Sequence, residues 1–327
     1  MRPADRERPG ERGAALLTVL MLVAVIAVIA VGALEKLRLA TRLTANAVGI
    51  EQARSYAQAA EALALSRVST LLGQSRDRVT LAGGWSNAPF DLPLPGGTAV
   101  ARVSDGGNCF NLNGLVSEAA PGVYASNPLA RVQFARLMRL LQVPPQIAEQ
   151  ASAGAADWID TDADQQGGGA EDSAYLRQDP GYRTAGTLMA DPSELRAVAG
   201  VTPALYAQLR PWLCTLPVAE PAAINLNTLA PEQAPLVAML APDTLSVEAA
   251  SAALLRRPAQ GWANVGAFAA LPGISGTGLG EGQAGVTSKW FGLRVDVVVN
   301  GLDVRETALI DATRLPARLV ARQWGEE

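Results

Sequence analysis

The chain has 327 residues, 49% of them hydrophobic, a formal net charge of −4 and a pI near 5.2, so it can fill more than one core and is too acidic to suit nucleic acid or an anionic lipid surface as its main partner. Histidine is absent, which excludes His-based triads, the commonest general base and most zinc sites. The two cysteines, Cys109 and Cys214, cannot assemble a cysteine-rich metal centre.

Residues 14–34, AALLTVLMLVAVIAVIAVGAL, are uncharged and apolar. As a helix this run reaches about 31 Å, enough to cross the hydrocarbon core once. A cleaved secretory signal ending near Val31, Gly32 and Ala33 is the rival reading, although the run is longer than a usual signal core. Arginines at 2, 6, 8 and 12 precede it, while Lys36, Arg38, Arg42 and Arg54 follow, so basic residues do not orient it.

The join between Gly13 and Ala14 resembles the cleavage site of type IV pilins and pseudopilins. That resemblance implies a leader over residues 1–13, cut by prepilin peptidase, and a new terminal amine at Ala14 that is methylated. It also implies an inner-membrane anchor with the rest of the chain in the periplasm. Most of that family carry a glutamate at the fifth mature position, where this chain has Thr18. A carboxylate inside a bilayer is costly unless paired, and its family partner is the terminal amine of a neighbouring subunit. A subunit with no neighbour ahead of it has no use for the charge. In this the chain resembles the K-type minor pseudopilin of type II secretion systems, the subunit at the filament tip.

After the span, residues 35–74 lack proline and are rich in alanine, leucine, arginine and glutamine, which predicts a continuing helix. Gly83-Gly84 and the prolines at 89, 93 and 95 break it. Residues 97–103 predict a short strand. Residues 290–299 and 304–312 around Asn300-Gly301 predict a hairpin, because Asn-Gly favours the turn whose positive φ angles match strand twist. Between them, helical stretches are predicted over 130–141, 145–159, 192–198, 203–213, 231–240 and 247–256.

FNLNGL (110–115) and INLNTL (224–229) form a near-repeat that opens two related modules. FNLN, DWIDTD, GGAEDSAY, YRTAG, ELRAVAGVTPALYAQLRPWL and INLNT follow one another in the order of the K-type pattern, so the resemblance covers nearly the whole chain. It implies an α+β fold: a pilin-like long N-terminal helix plus antiparallel sheet, with a large helical insertion of two SAM-like or helix-hairpin-helix-like modules. The expected organisation is a leader (1–13), membrane helix (14–34), helix continuation and first strands (35–108), first module (109–217), second module (221–285), and closing strands with a tail (286–327).

The sharpest chemical signal is DTDADQQGGGAED, residues 160–172. With Asp160 at position one, Asp162, Asp164 and Glu171 fall at three, five and twelve, the carboxylate spacing of an EF-hand calcium loop. Gln165 stands at position six, where that loop needs glycine for its sharp turn, so the ligands fit and the EF-hand backbone does not. Asp172 is a candidate further ligand, and Asp157 a weaker one. A solvated acidic loop is the bland alternative. The K-type resemblance implies bound calcium in this region, with a structural role.

Cys109 abuts FNLN and Cys214 lies near the end of the first module; in an oxidising periplasm they either bridge or stay as two buried thiols. INLNT (224–228) followed by residues 261–275 resembles helix-hairpin-helix proteins that grip DNA backbone, but the local cations are few, Arg256 and Arg257 being the clearest, and the pI is acidic. A carboxylate-pair enzyme would need an acid and a base facing across a cleft, whereas these acids crowd one loop. Trp158, Tyr175, Tyr182, Tyr206 and Trp212 are expected to pack rather than to cage a ligand. The expected partners are the I-type and J-type minor pseudopilins, the major pseudopilin filament, prepilin peptidase and secreted substrates, without nucleic acid. A membrane-tethered calcium-dependent receptor or a related minor pilin is the competing reading.

Overall fold

A computed structural model describes residues 9–74, 77–241, 243–279 and 282–325. Residues 1–8 of the expected leader lie outside the described residues.

The chain opens with α1 (Pro9–Gln74), β1 (Phe90–Leu94) and β2 (Gly97–Asp105). The first module carries β3 (Phe110–Asn111), β4 (Val116–Ala120), β5 (Val123–Ser126), α2 (Pro128–Leu140), α3 (Pro145–Ile159), α4 (Asp172–Tyr175), α5 (Pro203–Leu209) and β6 (Leu213–Cys214). The second carries β7 (Ile224–Asn225), α6 (Ala234–Ala238), α7 (Val247–Leu255), α8 (Val265–Ala269) and β8 (Ala284–Gly285). Strands β9 (Trp290–Val299), β10 (Leu302–Asp311) and β11 (Arg318–Trp324) close the chain.

Residues 13–48 of α1 are exposed along their whole length. From Ala53 the helix docks on the sheet through Ala53, Ala57, Ala60, Ala64, Val68 and Leu72, which recur every three or four residues and so share one face. Small side chains on that face let helix and sheet approach closely. Gly49 shows how closely: a Cβ there would lie 2.3 Å from Leu302 Cδ1 at the tip of the β9–β10 hairpin.

The sheet is antiparallel throughout, in the order β1-β2-β9-β10-β11. Period-two alternation sends Ala99, Ala101 and Val103 of β2, with Phe291, Leu293, Val295, Val297 and Val299 of β9, toward α1. The predicted Asn300-Gly301 turn is present, with φ of 51° and 79°. Strands β1, β11 and the β4–β5 hairpin were not predicted. Pro93 reads as a breaker, yet β1 is an edge strand, where proline is tolerated.

The near-repeat recurs as repeated geometry. Asn111 Oδ1 accepts from Asn113 N at 3.2 Å, and Asn225 Oδ1 from Asn227 N at 2.9 Å. The second asparagine of each pair then grips one distant residue at both backbone groups. Asn113 accepts from Met189 N at 2.8 Å and donates to Met189 O at 3.0 Å; Asn227 accepts from Trp262 N at 2.7 Å and donates to Trp262 O at 3.0 Å. Each module closes with a two-residue parallel ladder, β3 on β6 and β7 on β8.

The modules meet the sheet at Asp105, the last residue of β2. Its Oδ2 accepts from Thr228 Oγ1 at 2.5 Å and from Ser288 Oγ, and its Oδ1 from Gly107 N at 3.0 Å. Burial pushes this carboxyl above its usual range, and these hydrogen bonds oppose the shift. Substituting Asn227→Ala should strand the buried N–H and C=O of Trp262 and cost about 2–4 kcal/mol, read as a lowered denaturation midpoint at unchanged slope.

Candidate metal centre

Helix α3 sits in the module core through Ala148, Ala151, Ala155, Ala156 and Ile159, and delivers Asp160 at its C-cap. Backbone contacts fix the loop that follows. Thr161 N donates to Tyr124 O at 3.0 Å and Tyr124 N donates to Thr161 Oγ1 at 3.1 Å, tying the loop to β5. Gln166 N donates to both oxygens of Asp157 at 3.2 Å, and Arg131 Nη1 donates to Gln166 Oε1 at 2.5 Å. The sharp turn falls at Gly167–Gly168, where Gly168 has φ of 88°, and not at Gln165. The EF-hand carboxylate spacing is therefore carried on a different backbone.

The loop brings Asp160, Asp162 and Glu171 together: one oxygen from each lies within 4.8 Å of the others. Oxygens so spaced have a common point at most about 2.8 Å from each, so a small inward movement reaches the ~2.3–2.6 Å calcium–oxygen distance. Asp160 and Glu171 are buried, and Asp160 Oδ1, Asp160 Oδ2 and Glu171 Oε1 have no hydrogen-bond partner. Buried carboxylate oxygens are ordinarily satisfied, so unpartnered oxygens on two of the three converging carboxylates match the donor set of a hard cation. Their electrostatics agree. Desolvation first, then the charges of Asp162 and Asp157, raise both Asp160 and Glu171 to about 7; Glu171 adds to the rise of Asp160, and the charge of Arg131 opposes it.

The other candidates fall outside this trio. Asp164 is exposed and contributes its backbone N–H to Asp162 Oδ1 at 2.8 Å. Asp172 is held by Arg183 and by Thr184 N and Oγ1, both at 3.0 Å; these bonds, the Thr184 amide first, keep its carboxyl below the usual range. Asp157 organises the loop from beneath, and burial raises it to about 6. Sequence reasoning ranked it low; the available signal was a carboxylate facing inward on an alanine-rich helix. Arg131 was missed because only the packing of α2 on α3 brings it near. Gly169 fits the same cradle: a Cβ there would lie 2.0 Å from Asp157 Oδ2.

Trp158, Tyr175 and Tyr182 pack against one another behind the loop, with centroid separations of 5.2–6.1 Å. Gly13 and Ala14 lie in α1, among the described residues. Cys109 and Cys214 are joined as a disulfide, with Cα atoms 5.8 Å apart, where β6 lies alongside β3. Just before the stretch that resembles a DNA-gripping hairpin, Arg257 Nη1 donates to Leu226 O at 3.0 Å and Leu229 O at 2.7 Å. That cation is spent on the protein's own backbone.

Comparison with known proteins fits this architecture. Two family descriptions, both of type II secretion system protein K, match residues 108–218 and 224–287. Type II secretion system protein K of Klebsiella pneumoniae is 32% identical over 96% of this chain and 97% of its own length. That of Pectobacterium carotovorum is 31% identical over 97% of this chain and 98% of its own length. A chain in the crystal structure of the GspK–GspI–GspJ complex from the enterotoxigenic Escherichia coli type 2 secretion system superposes with a TM-score of 0.76 at 33% identity. The match covers 87% of this chain and 99% of that one.

Proposed function

This chain belongs to the type II secretion system protein K family, and we propose that it caps the periplasmic pseudopilus at its tip and helps to start the filament. As a family member it is a minor pseudopilin working in protein secretion. The observation that carries the tip role is the joining of two unlike parts. One is an exposed apolar shaft over residues 13–48. The other is a sheet head carrying an insertion from Gly106 to Lys289 between two neighbouring strands, β2 and β9. A head so widened obstructs stacking of another subunit above it, and Thr18 leaves no carboxylate for a subunit ahead.

In this reading α1 spans the inner membrane through residues 14–34 after removal of the leader, and the head stands in the periplasm. The shaft packs among I-type and J-type minor pseudopilins above the major filament, where the head meets secreted substrates. The head's role is structural, not catalytic. Its two modules are SAM-like, which the repeated asparagine grips and parallel ladders support. Asp160, Asp162 and Glu171 hold a structural calcium ion, with Asp164 and Asp172 as outer contributors through water. Calcium there offsets carboxylate repulsion and fixes the loop against β5.

Co-purification tests the role. Co-expressed full-length chains of the three types should leave a column as one complex; a K-type chain that elutes alone in the presence of both others refutes capping. Sequencing of the mature N-terminus should begin at Ala14. A start near Leu34 would mean a freed secreted protein and would remove the anchor.

A further inference from the structure

Glu306 on β10 has no exposed surface. It faces α1, opposite Val295 of β9 and Trp324 of β11. Across the joint, α1 presents Glu61, itself 9% exposed. One guanidinium serves both. Arg322 Nε donates to Glu306 Oε1 at 3.3 Å and to Glu61 Oε2 at 3.0 Å, and its Nη2 donates to Glu61 Oε2 at 2.5 Å. While both acids are ionised, Glu306 Oε2 is left without a hydrogen-bond donor. With both acids ionised, the joint carries one uncompensated negative charge and an orphaned oxygen in a desolvated space, a costly arrangement. A proton on Glu306 removes the excess charge and turns an acceptor without a donor into a donor beside Glu61.

Among the described residues, the paired ionisable groups of the neighbouring elements are engaged elsewhere. On α1, Arg54 pairs with Glu51 and lies over the Trp324 ring, Tyr56 accepts from Gln52 Nε2, and Arg67 lies over Phe90 at the far edge of the sheet. On β9, Arg294 and Asp296 alternate with inward-facing Val295, so they occupy the opposite face of the sheet and pair there. Arg305 of β10 and Arg102 of β2 bond to the same Asp296 on that face.

We infer that Glu61, Glu306 and Arg322 form a proton-dependent latch between stalk and head, which grips α1 while Glu306 carries a proton toward Glu61 and weakens when that proton is lost. The direction follows from linkage. Burial first, then the hydrogen-bonded Glu61 and its charge, raise Glu306 to about 7. A group raised in the folded state gives stability that is complete below its ordinary value and disappears as pH rises through the folded one. The latch is independent of the tip role and of the acidic loop.

Hydrogen exchange of the full chain in detergent micelles with excess calcium chloride reads it. After correction for intrinsic rates, opening of residues 53–72 and of β11 should rise up to tenfold per pH unit above about 7. In Glu306→Gln, whose amide can donate to Glu61 at any pH, that rise should vanish. A flat wild-type profile, or an equal rise in Glu306→Gln, overturns the latch. Should Glu306→Gln fail to fold, Glu61→Gln removes the like charge instead; the rise must then shrink, and an unchanged profile is equally fatal.

Discussion

Chelation of calcium should lower the melting temperature of the full-length protein at neutral pH by about 4–5 °C, reversed on adding calcium back. The figure follows from a cation at about a hundred times its dissociation constant, which contributes about 2.7 kcal/mol in a domain of this size. Asp160 and Glu171 make the effect pH-dependent. Both are raised to about 7 in the folded protein, so without metal the fold binds protons that the unfolded chain releases. Stability of the metal-free protein should therefore fall as pH rises from about 5 through about 7. With calcium the slope should flatten or reverse, because the ion binds only the ionised carboxylates and its affinity climbs with pH. Asp160→Asn should abolish the calcium response and make the metal-free protein more stable than wild type above neutrality. Gly169→Ala should weaken calcium binding by displacing Asp157. A melting curve indifferent to chelator, with no heat on calorimetric titration, would remove the ion from this loop.

Replacing Cys109 and Cys214 together by serine should cost about 2–5 kcal/mol. The bond closes a loop of 105 residues in sequence, and the entropic gain from such closure is large. It also fastens β6 beside β3 from Cys109, four residues beyond Asp105 where the modules meet the sheet, so both the module and its seat should loosen. Differential scanning should show a lowered or split transition, and protease should reach the first module sooner. Mass spectrometry without reductant should find neither thiol alkylated in the wild type. Alkylation of both would show that the bridge is absent in the purified protein.

Much of this architecture was legible from local rules. Helix α3 follows its predicted limits because Pro145 suits a first helical turn and Asp160 ends the alanine-rich run. The β9–β10 hairpin follows from Asn300-Gly301 between alternating apolar residues. Strands β1 and β11 stayed hidden because they are sheet edges. One carries a proline; the other, RLVARQW, is largely exposed and pairs across a register shift near Leu309. The site divided in the same way. Spacing picked out Asp160, Asp162 and Glu171, while placing the turn at Gly167–Gly168 left Asp164 and Asp172 outside the trio. Arg131, Thr161 and Glu306 owe their roles to contacts across distant segments, which no periodicity encodes.

The paired ladders carry a last consequence. Because β3 lies beside β6 and β7 beside β8, the polypeptide enters and leaves each module through adjacent doors. A block of chain bounded that way can be excised, lengthened or copied while the flanking strands keep their alignment. The duplicated asparagine signature is what such copying would leave behind. Grafts that exchange whole modules between relatives, cut at these ladders, should leave the five-stranded platform intact.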